Sequence, residues 1–463
     1  MAQELTLEMA KAQLAAHPEV TEIDLMACDL NGILRGKRVP AASIEKIFSD
    51  GMKFPRSILC LDIWGHDVHE NGLVWESGDG DGICLPCGPG LMPMTWSDRP
   101  RMQMLTMMQE IGGAPFGGDP RQILVGIMNR FKKLGLTPVV ATELEFYLMA
   151  GDAAAGGIPR PPRAPKSGYE LDSPRVYSLD ELDEFNDVLT AIRDACQAQG
   201  LPTDTIIVEN GTGQFEVNLH HVSDPVLAAD HAVLLRRAVR ASARKHGLHG
   251  TFMAKPYGDS AGSGFHLHCS LLDADGKNVF DDGTDQGSDL LRQAIAGMIE
   301  MMPETFLIFA PHLNSYRRFQ PGMHAPTTAS WGYENRTTAI RIPTSPGKAR
   351  RFEHRLAGAD ANPYLVIAAI LAGVLHGIEN KLTAPPAIDG NAYGEENAHI
   401  IAKAPVLPTE WSRAIDAFMQ GQHLRPYVGD VFMRAFGPEK AQEMAELGRK
   451  VTDVEYATYL GSI

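Results

Sequence analysis

The sequence predicts a protein of mixed helices and strands, α/β or α+β, divided near residue 115. Three observations carry this. After residue 120, β-branched strand-like runs alternate with longer helix-like runs. Before it, Asn31-Gly32 sits between two apolar stretches, a strong hairpin signal. And 463 residues exceed what one core ordinarily holds.

The elements follow in order. Residues 4–17 read as a short amphipathic helix, and residues 22–39 as a hairpin turning at Asn31-Gly32. The Pro- and Gly-rich stretch from Gly78 to Pro100 is expected to break any long periodic element. Asp119-Pro120 has the chemistry of a helix cap, followed by a helix from Arg121 to Leu134 that stops near Gly135. The β-branched run from Thr137 to Thr142 leads into Glu143-Leu144-Glu145. Residues 153–166, rich in Ala, Gly and Pro, read as an exposed loop, and 225–246 and 361–380 as long helices.

Composition excludes several classes. The hydrophobic share is 44% and the charged share 21%, ordinary for a soluble globular chain. A formal charge of −15 argues against a nucleic-acid groove. No apolar run reaches the roughly 20 residues that span a bilayer, and Met1–Pro18 lacks the apolar core of a signal peptide, so a cytoplasmic location is expected. Cys84 and Cys87 have zinc-knuckle spacing, but no second pair follows, and free buried thiols are the preferred reading for all six cysteines.

Three segments carry the chemistry. In a strand, Glu143 and Glu145 share a face. Two carboxylates there either look into solvent or hold a cation. The apolar neighbours Val139, Val140, Phe146 and Leu148 favour burial and the cation. Glu209 and Glu216 bracket a glycine-containing turn, and His266 and His268 share a strand face after Gly262-Ser263-Gly264. Farther on, Arg351, Glu353 and Arg355 alternate along one putative strand. Five carboxylates and an imidazole suit Mg²⁺ or Mn²⁺. Arginines beside them suit carboxylate and phosphate groups. Together they imply phosphoryl transfer to a carboxyl group.

Taken together these segments resemble the glutamine synthetase family. Glu143-Leu144-Glu145 is similar to its first metal-ligand pair, and Glu209 to Glu216 to its E-x-G-x-G-Q-x-E segment. Lys255-Pro256 with Gly262 to His268 resembles its ATP and metal signature. Asn314 to Arg318 resembles its glutamate clamp, and Asn335-Arg336 through Pro343 its phosphate-contacting arginines. The resemblance implies an α+β chain with a small N-terminal β-grasp domain, residues 1–115, and a larger C-terminal α/β catalytic domain, residues 116–463. It implies active sites between neighbouring subunits of stacked rings, a dodecamer of two hexamers, with no nucleic-acid or membrane partner. It further implies ATP as co-substrate, Mg²⁺ or Mn²⁺, and glutamate with a small amine as substrates. By the same resemblance Glu143, Glu145, Glu209, Glu216, His266 and Glu353 hold metal. Gly262, Arg318 and Arg355 bind the substrate. Lys255, His268, Arg336, Arg341 and Arg351 attend the ATP phosphates, with Arg336 also stabilising the transferred group.

Two departures redirect the nucleophile. The family's ammonium-site segment Phe-Asp-Gly-Ser-Ser reads Phe54-Pro55-Arg56-Ser57-Ile58, and its flap Pro-Gly-Tyr-Glu-Ala-Pro reads Pro321-Gly322-Met323-His324-Ala325-Pro326. Both ammonium-site carboxylates are replaced. That pattern resembles the γ-glutamyl-amine synthetases, the γ-glutamylputrescine and polyamine branch. Ala261, where glutamine synthetases often carry Asn, is a third departure. His324 is the candidate catalytic base, since an unperturbed imidazole titrates near neutrality; alternatively it only shapes the flap. Asp62, Asp67 and Glu70 are candidates, by position, for the far ammonium of a diamine. The competing readings are glutamine synthesis from ammonia and a catalytically silent nitrogen or polyamine sensor.

Overall fold

The computed structural model describes residues 5–152, 159–320 and 325–463. Its first part holds a five-stranded sheet in the order β2-β1-β5-β4-β3. The strands are β1 (Glu22–Cys28), β2 (Leu34–Pro40), β3 (Met52–Pro55), β4 (Asp81–Pro93) and β5 (Arg101–Glu110). β1 and β2 form the hairpin the Asn31-Gly32 pair predicts, and Gly32 takes the positive φ (74°) that the turn needs. β1 then runs parallel to β5. Helices α1 (Leu7–Ala16) and α2 (Ile44–Asp50) flank this sheet.

The stretch from Gly78 to Pro100 corrects the sequence expectation. It contains β4, a 13-residue strand, rather than an interrupted loop. The strand survives its prolines because a register shift between Cys87 and Met92 absorbs the irregularity. Gly88 and Gly90 supply the positive φ there. All six cysteines are buried free thiols.

The second part is built on an eight-stranded sheet. Its strands are β6 (Thr137–Ala150), β7 (Thr203–Val208), β8 (Gln214–Leu219), β9 (Leu248–Thr251), β10 (Phe265–Leu272), β11 (Trp331–Tyr333), β12 (Ile340–Ile342) and β13 (Phe352–His354). They run β11-β12-β13-β10-β6-β8-β7, with β9 also paired to β6. Helix α3 (Pro120–Lys133) begins where predicted: Asp119 Oδ1 accepts from the backbone N–H of Arg121 and Gln122. α4 (Leu179–Glu184) and α5 (Asn186–Ala198) precede β7.

Of three long helices, α6 (Pro225–Lys245) lies against the sheet at β6 and β9, α8 (Pro363–Glu379) packs on α6, and α7 (Asp289–Phe309) packs on α8. α7 and α8 approach so closely that a Cβ on Gly297 would lie 2.2 Å from the Gly373 carbonyl oxygen. The smaller helices α9 (Ala398–Ile401), α10 (Trp411–Gln420) and α11 (Arg425–Val428) lead to α12 (Asp430–Gly448) and α13 (Asp453–Tyr459). α12 ties the two parts together. Its fully buried Lys440 ammonium lies between Glu439 (2.9 Å) and Glu443 (3.1 Å) and donates to Asn31 of the first part. No helix is long and apolar enough to cross a membrane among the described residues.

Candidate active site

Strand period and register assemble the site. Along β6, alternate residues are buried beneath the sheet, so Glu143 and Glu145 both face the opposite, open side. Along β10 the same alternation turns His266 and His268 to that side. Register then pairs the carriers. Glu145 stands opposite Glu216 on β8, His266 opposite Glu143, and His268 opposite Glu353 on β13, which in turn faces Arg341 on β12. Five adjacent strands thus deliver carboxylates, imidazoles and a guanidinium to one floor. Glu209 follows β7 and reaches the same cavity from its edge.

The cavity above this floor measures about 1460 Å³, and its lining includes Glu143, Glu145, Glu209, Glu216, His266, His268 and Glu353. Arg318, Arg336, Arg341, Arg351, Arg355 and Gly262 line it too. All the candidate metal and arginine positions therefore meet. Lys255 does not line it: its buried ammonium donates to the Ser260 carbonyl, in the loop that leads to Gly262. His324 lies outside the described residues. Pro55 ends a strand of the N-terminal sheet, away from this chain's cavity. Asp62 is buried and committed, since Oδ1 accepts from the N–H of Trp64 and His66 and Oδ2 from Gln442. Asp67 and Glu70 are exposed and do not line the cavity.

The hydrogen bonds order the floor. His268 Nε2 donates to Glu143 Oε1 at 3.0 Å, and its Nδ1 accepts from Arg351 Nε at 3.3 Å. His266 Nδ1 donates to Glu143 Oε2 at 3.3 Å. Glu353 takes Arg341 at 3.0 Å and Arg355 on its other oxygen. Arg318, buried, donates from Nη1 to the Leu356 carbonyl at 3.0 Å. The glycines of 262–264 make room for this. A Cβ on Gly262 would lie 2.7 Å from Arg318 Cγ, and one on Gly264 would intrude to 3.0 Å from His266 Nε2 and 3.2 Å from Glu145 Oε1.

Electrostatics divide the carboxyls. Burial alone would raise Glu143, but the hydrogen bonds from His266 and His268 outweigh it and hold it well below the usual range. Glu353 is also buried, yet His266 and Arg355 bring it down to about 2. Glu209 goes the other way, to about 7, through burial and the charge of Glu145. Glu216 is pushed up strongly by burial and by Glu145, Glu143, Glu209 and Glu353. A buried cluster that repels its own members in this way is stabilised by a cation.

The donor set fits one. Single ligand atoms of Glu143, Glu216 and His266 lie within 4.8 Å of one another, as do those of Glu143, His268 and Glu353. Oxygen-rich sets with some imidazole suit hard divalent ions. His268, assigned to ATP phosphate on resemblance, thus sits where a second ion would also find it.

Sequence reasoning missed several supporting groups. Gln214 is fully buried, and its amide donates to Glu145 Oε2 at 3.2 Å and to the Gly262 carbonyl at 3.1 Å. The Tyr147 hydroxyl donates to the Ala261 carbonyl at 2.6 Å. Glu334, with φ 48°, holds the outer side of Arg341 at 2.9 Å. Gln214 was visible in the Glu209–Glu216 segment as a polar residue at an inward position; the other two had no sequence signal.

Comparison with known proteins completes the picture. A γ-glutamylputrescine synthetase of Escherichia coli (strain K12) is 42% identical over 445 residues, covering 96% of this chain and 93% of that protein. A γ-glutamylethanolamide synthetase of Streptomyces coelicolor is 32% identical over 450 residues, covering 96% and 93%. A solved structure described as apo GmaS without ligand superposes with a TM-score of 0.83 at 28% identity, covering 97% of this chain and 99% of that one. Residues 117–459 match the glutamine synthetase catalytic domain, and the chain belongs to the glutamine synthetase family.

Proposed function

We propose that this protein is an ATP-dependent ligase joining the γ-carboxyl of glutamate to a primary amine, with putrescine or another polyamine or monoamine as nucleophile. The observation that carries this reading is the single cavity in which a carboxylate–imidazole floor faces five arginines. The extended similarity to ligases named for γ-glutamyl amides supports the amine over ammonia.

In this reading a glutamate γ-carboxylate oxygen attacks the γ-phosphorus of ATP and ADP leaves. The amine nitrogen then attacks the acyl carbon of γ-glutamyl phosphate, releasing phosphate and a proton. Arg318 and Arg355 orient glutamate as bidentate partners of its carboxylates. Arg336, exposed at the cavity, and Arg341 and Arg351 meet the phosphates. Glu143, Glu145, Glu209, Glu216, His266 and Glu353 would hold Mg²⁺ or Mn²⁺, which when bound spreads charge on the transferred phosphoryl group. Gln214 keeps Glu145 and the Gly262 loop in register. His324 is our candidate for the base that takes the amine's proton.

We read the N-terminal five-stranded sheet as the β-grasp module and residues 116–463 as the catalytic domain, in subunits that assemble into rings. The test of function is product analysis. Incubated with ATP, glutamate, Mg²⁺ and putrescine, the protein should yield ADP, phosphate and γ-glutamylputrescine by mass spectrometry. ATP turnover that yields no γ-glutamyl amide with any amine would reject the proposal.

A further inference from the structure

Outside the catalytic cavity, a second group of metal-type ligands converges from three separate segments: Glu300 on α7, His376 on α8 and His423 in the connection between α10 and α11. None of the three lines the cavity. One ligand atom from each lies within 4.8 Å of the other two. Around zinc, with bonds of about 2.0–2.1 Å, tetrahedral ligands stand about 3.3 Å apart, so the three atoms need to draw together by at most about 1.5 Å. His376 Nε2 is already 2.9 Å from Glu300 Oε2. The His376 and His423 rings lie 4.9 Å apart between centroids.

The fold holds these groups in place. The close crossing of α7 and α8 at Gly297, Gly373 and Gly377 sets Glu300 and His376, each within one turn of the contact, against one another. One turn further along α7, Glu304 accepts the backbone N–H of His423 at 3.0 Å and of Leu424 at 3.0 Å. That pins the loop that carries the third ligand. Two imidazoles and one carboxylate, with a position left for water, form the donor set of a zinc-class ion, softer than the oxygen-rich floor of the catalytic cavity.

We propose that Glu300, His376 and His423 form a peripheral binding site for a zinc-class divalent ion, which clamps α7 and α8 to the 421–424 connection. Asn380 sets the terms. Its amide nitrogen donates to His376 Nδ1 at 3.2 Å, which leaves the imidazole proton on Nε2 facing Glu300. The ion takes the place of that proton, which moves to Nδ1, and Asn380 must then turn its oxygen toward Nδ1–H. Asn380→Asp presents an acceptor there directly, the arrangement that orients ligating histidines in many zinc sites.

The experiment is equilibrium dialysis of the full-length protein against Zn²⁺ in excess Mg²⁺, which occupies the catalytic carboxylates, followed by metal analysis. Wild type should retain one zinc per chain more than the His376→Asn/His423→Asn variant, and ligase turnover in Mg²⁺ should be unchanged by that variant. Glu300→Gln, a milder surface change, should weaken zinc binding about tenfold or more, and Asn380→Asp should strengthen it about tenfold. Zinc should raise the melting temperature of wild type and not of the histidine variant. Equal zinc content in wild type, the histidine variant and Glu300→Gln would overturn the proposal, as would a crystal soaked in zinc with no anomalous peak among the three side chains.

Discussion

Glu145 and Glu216 stand directly opposite each other in the antiparallel β6–β8 ladder, two carboxylates on neighbouring strands where like charges repel. Glu216 is buried, and the surrounding carboxylates push its proton affinity up. At this pair the fold has built a place where full ionisation is unfavourable unless a cation joins the two carboxylates.

A pH-dependent metal effect follows. Glu209, at about 7, and Glu216, higher still, have folded values above their unfolded ones. Their contribution to stability in the absence of metal is full below about pH 4 and is lost as pH rises through 7 and beyond. A divalent ion relieves that loss only where the carboxyls are ionised. Thermal melts in Mn²⁺ and in EDTA should therefore differ more at pH 8 than at pH 6. An equal shift at both values would count against the cluster as the metal site.

Glu216→Gln separates stability from activity. Gln is neutral without taking up a proton, whereas Glu216 must be held protonated in this buried cluster, so in EDTA at pH 8 the variant should melt a few degrees above wild type. It also removes a proposed metal ligand, so phosphate release should fall by about 100-fold or more. A variant with wild-type turnover would show that Glu216 does not serve the chemistry.

Arg318→Lys tests the substrate clamp. The guanidinium passes under the glycines of 262–264 and reaches the cavity beside Glu145. Lysine keeps the charge and loses the planar fork. KM for glutamate should rise about tenfold or more while KM for the amine stays within about twofold. Equal rises in both would move Arg318 out of the glutamate site.

Lys440→Met tests the tie between the two parts of the chain. It would leave Glu439 and Glu443 buried with no cation between them. Breaking a buried ion group in this way costs about 3–5 kcal/mol. Urea unfolding should show a loss of that size, and a loss under about 1 kcal/mol would mean the triad contributes little.

Much of this was legible in the sequence for a physical reason. Strand residues two apart share a face, so Glu143 with Glu145 and His266 with His268 declared their common direction. Asp119-Pro120 and Asn31-Gly32 act through their own backbone, so the helix start and the hairpin could be read locally. What depends on long-range pairing could not be. The register that sets Glu145 opposite Glu216 joins distant segments, and nothing in either segment states it. The length of β4 was hidden because its prolines read as breaks, while the bulge that carries the strand through shows only in the pairing. Gln214 looked like one polar residue among several until burial gave it two acceptors. The meeting of Glu300, His376 and His423 depends on how helices cross, which local sequence does not encode.

The central claim is that an amine, not ammonia, is the nucleophile. By the family resemblance Pro55 and His324 take the positions of its ammonium-binding carboxylates, and in the proposed reading affinity comes instead from the alkyl chain. Burying a methylene contributes about 0.8 kcal/mol, and four contribute about 3 kcal/mol, or roughly a hundredfold. The deciding measurement is kcat/KM from ATP- and glutamate-dependent phosphate release across ammonia, monoamines and diamines at one pH. A preference of about a hundredfold for an alkylamine or diamine over ammonia is the predicted result; turnover with ammonia that equals or exceeds that with every amine would contradict the claim.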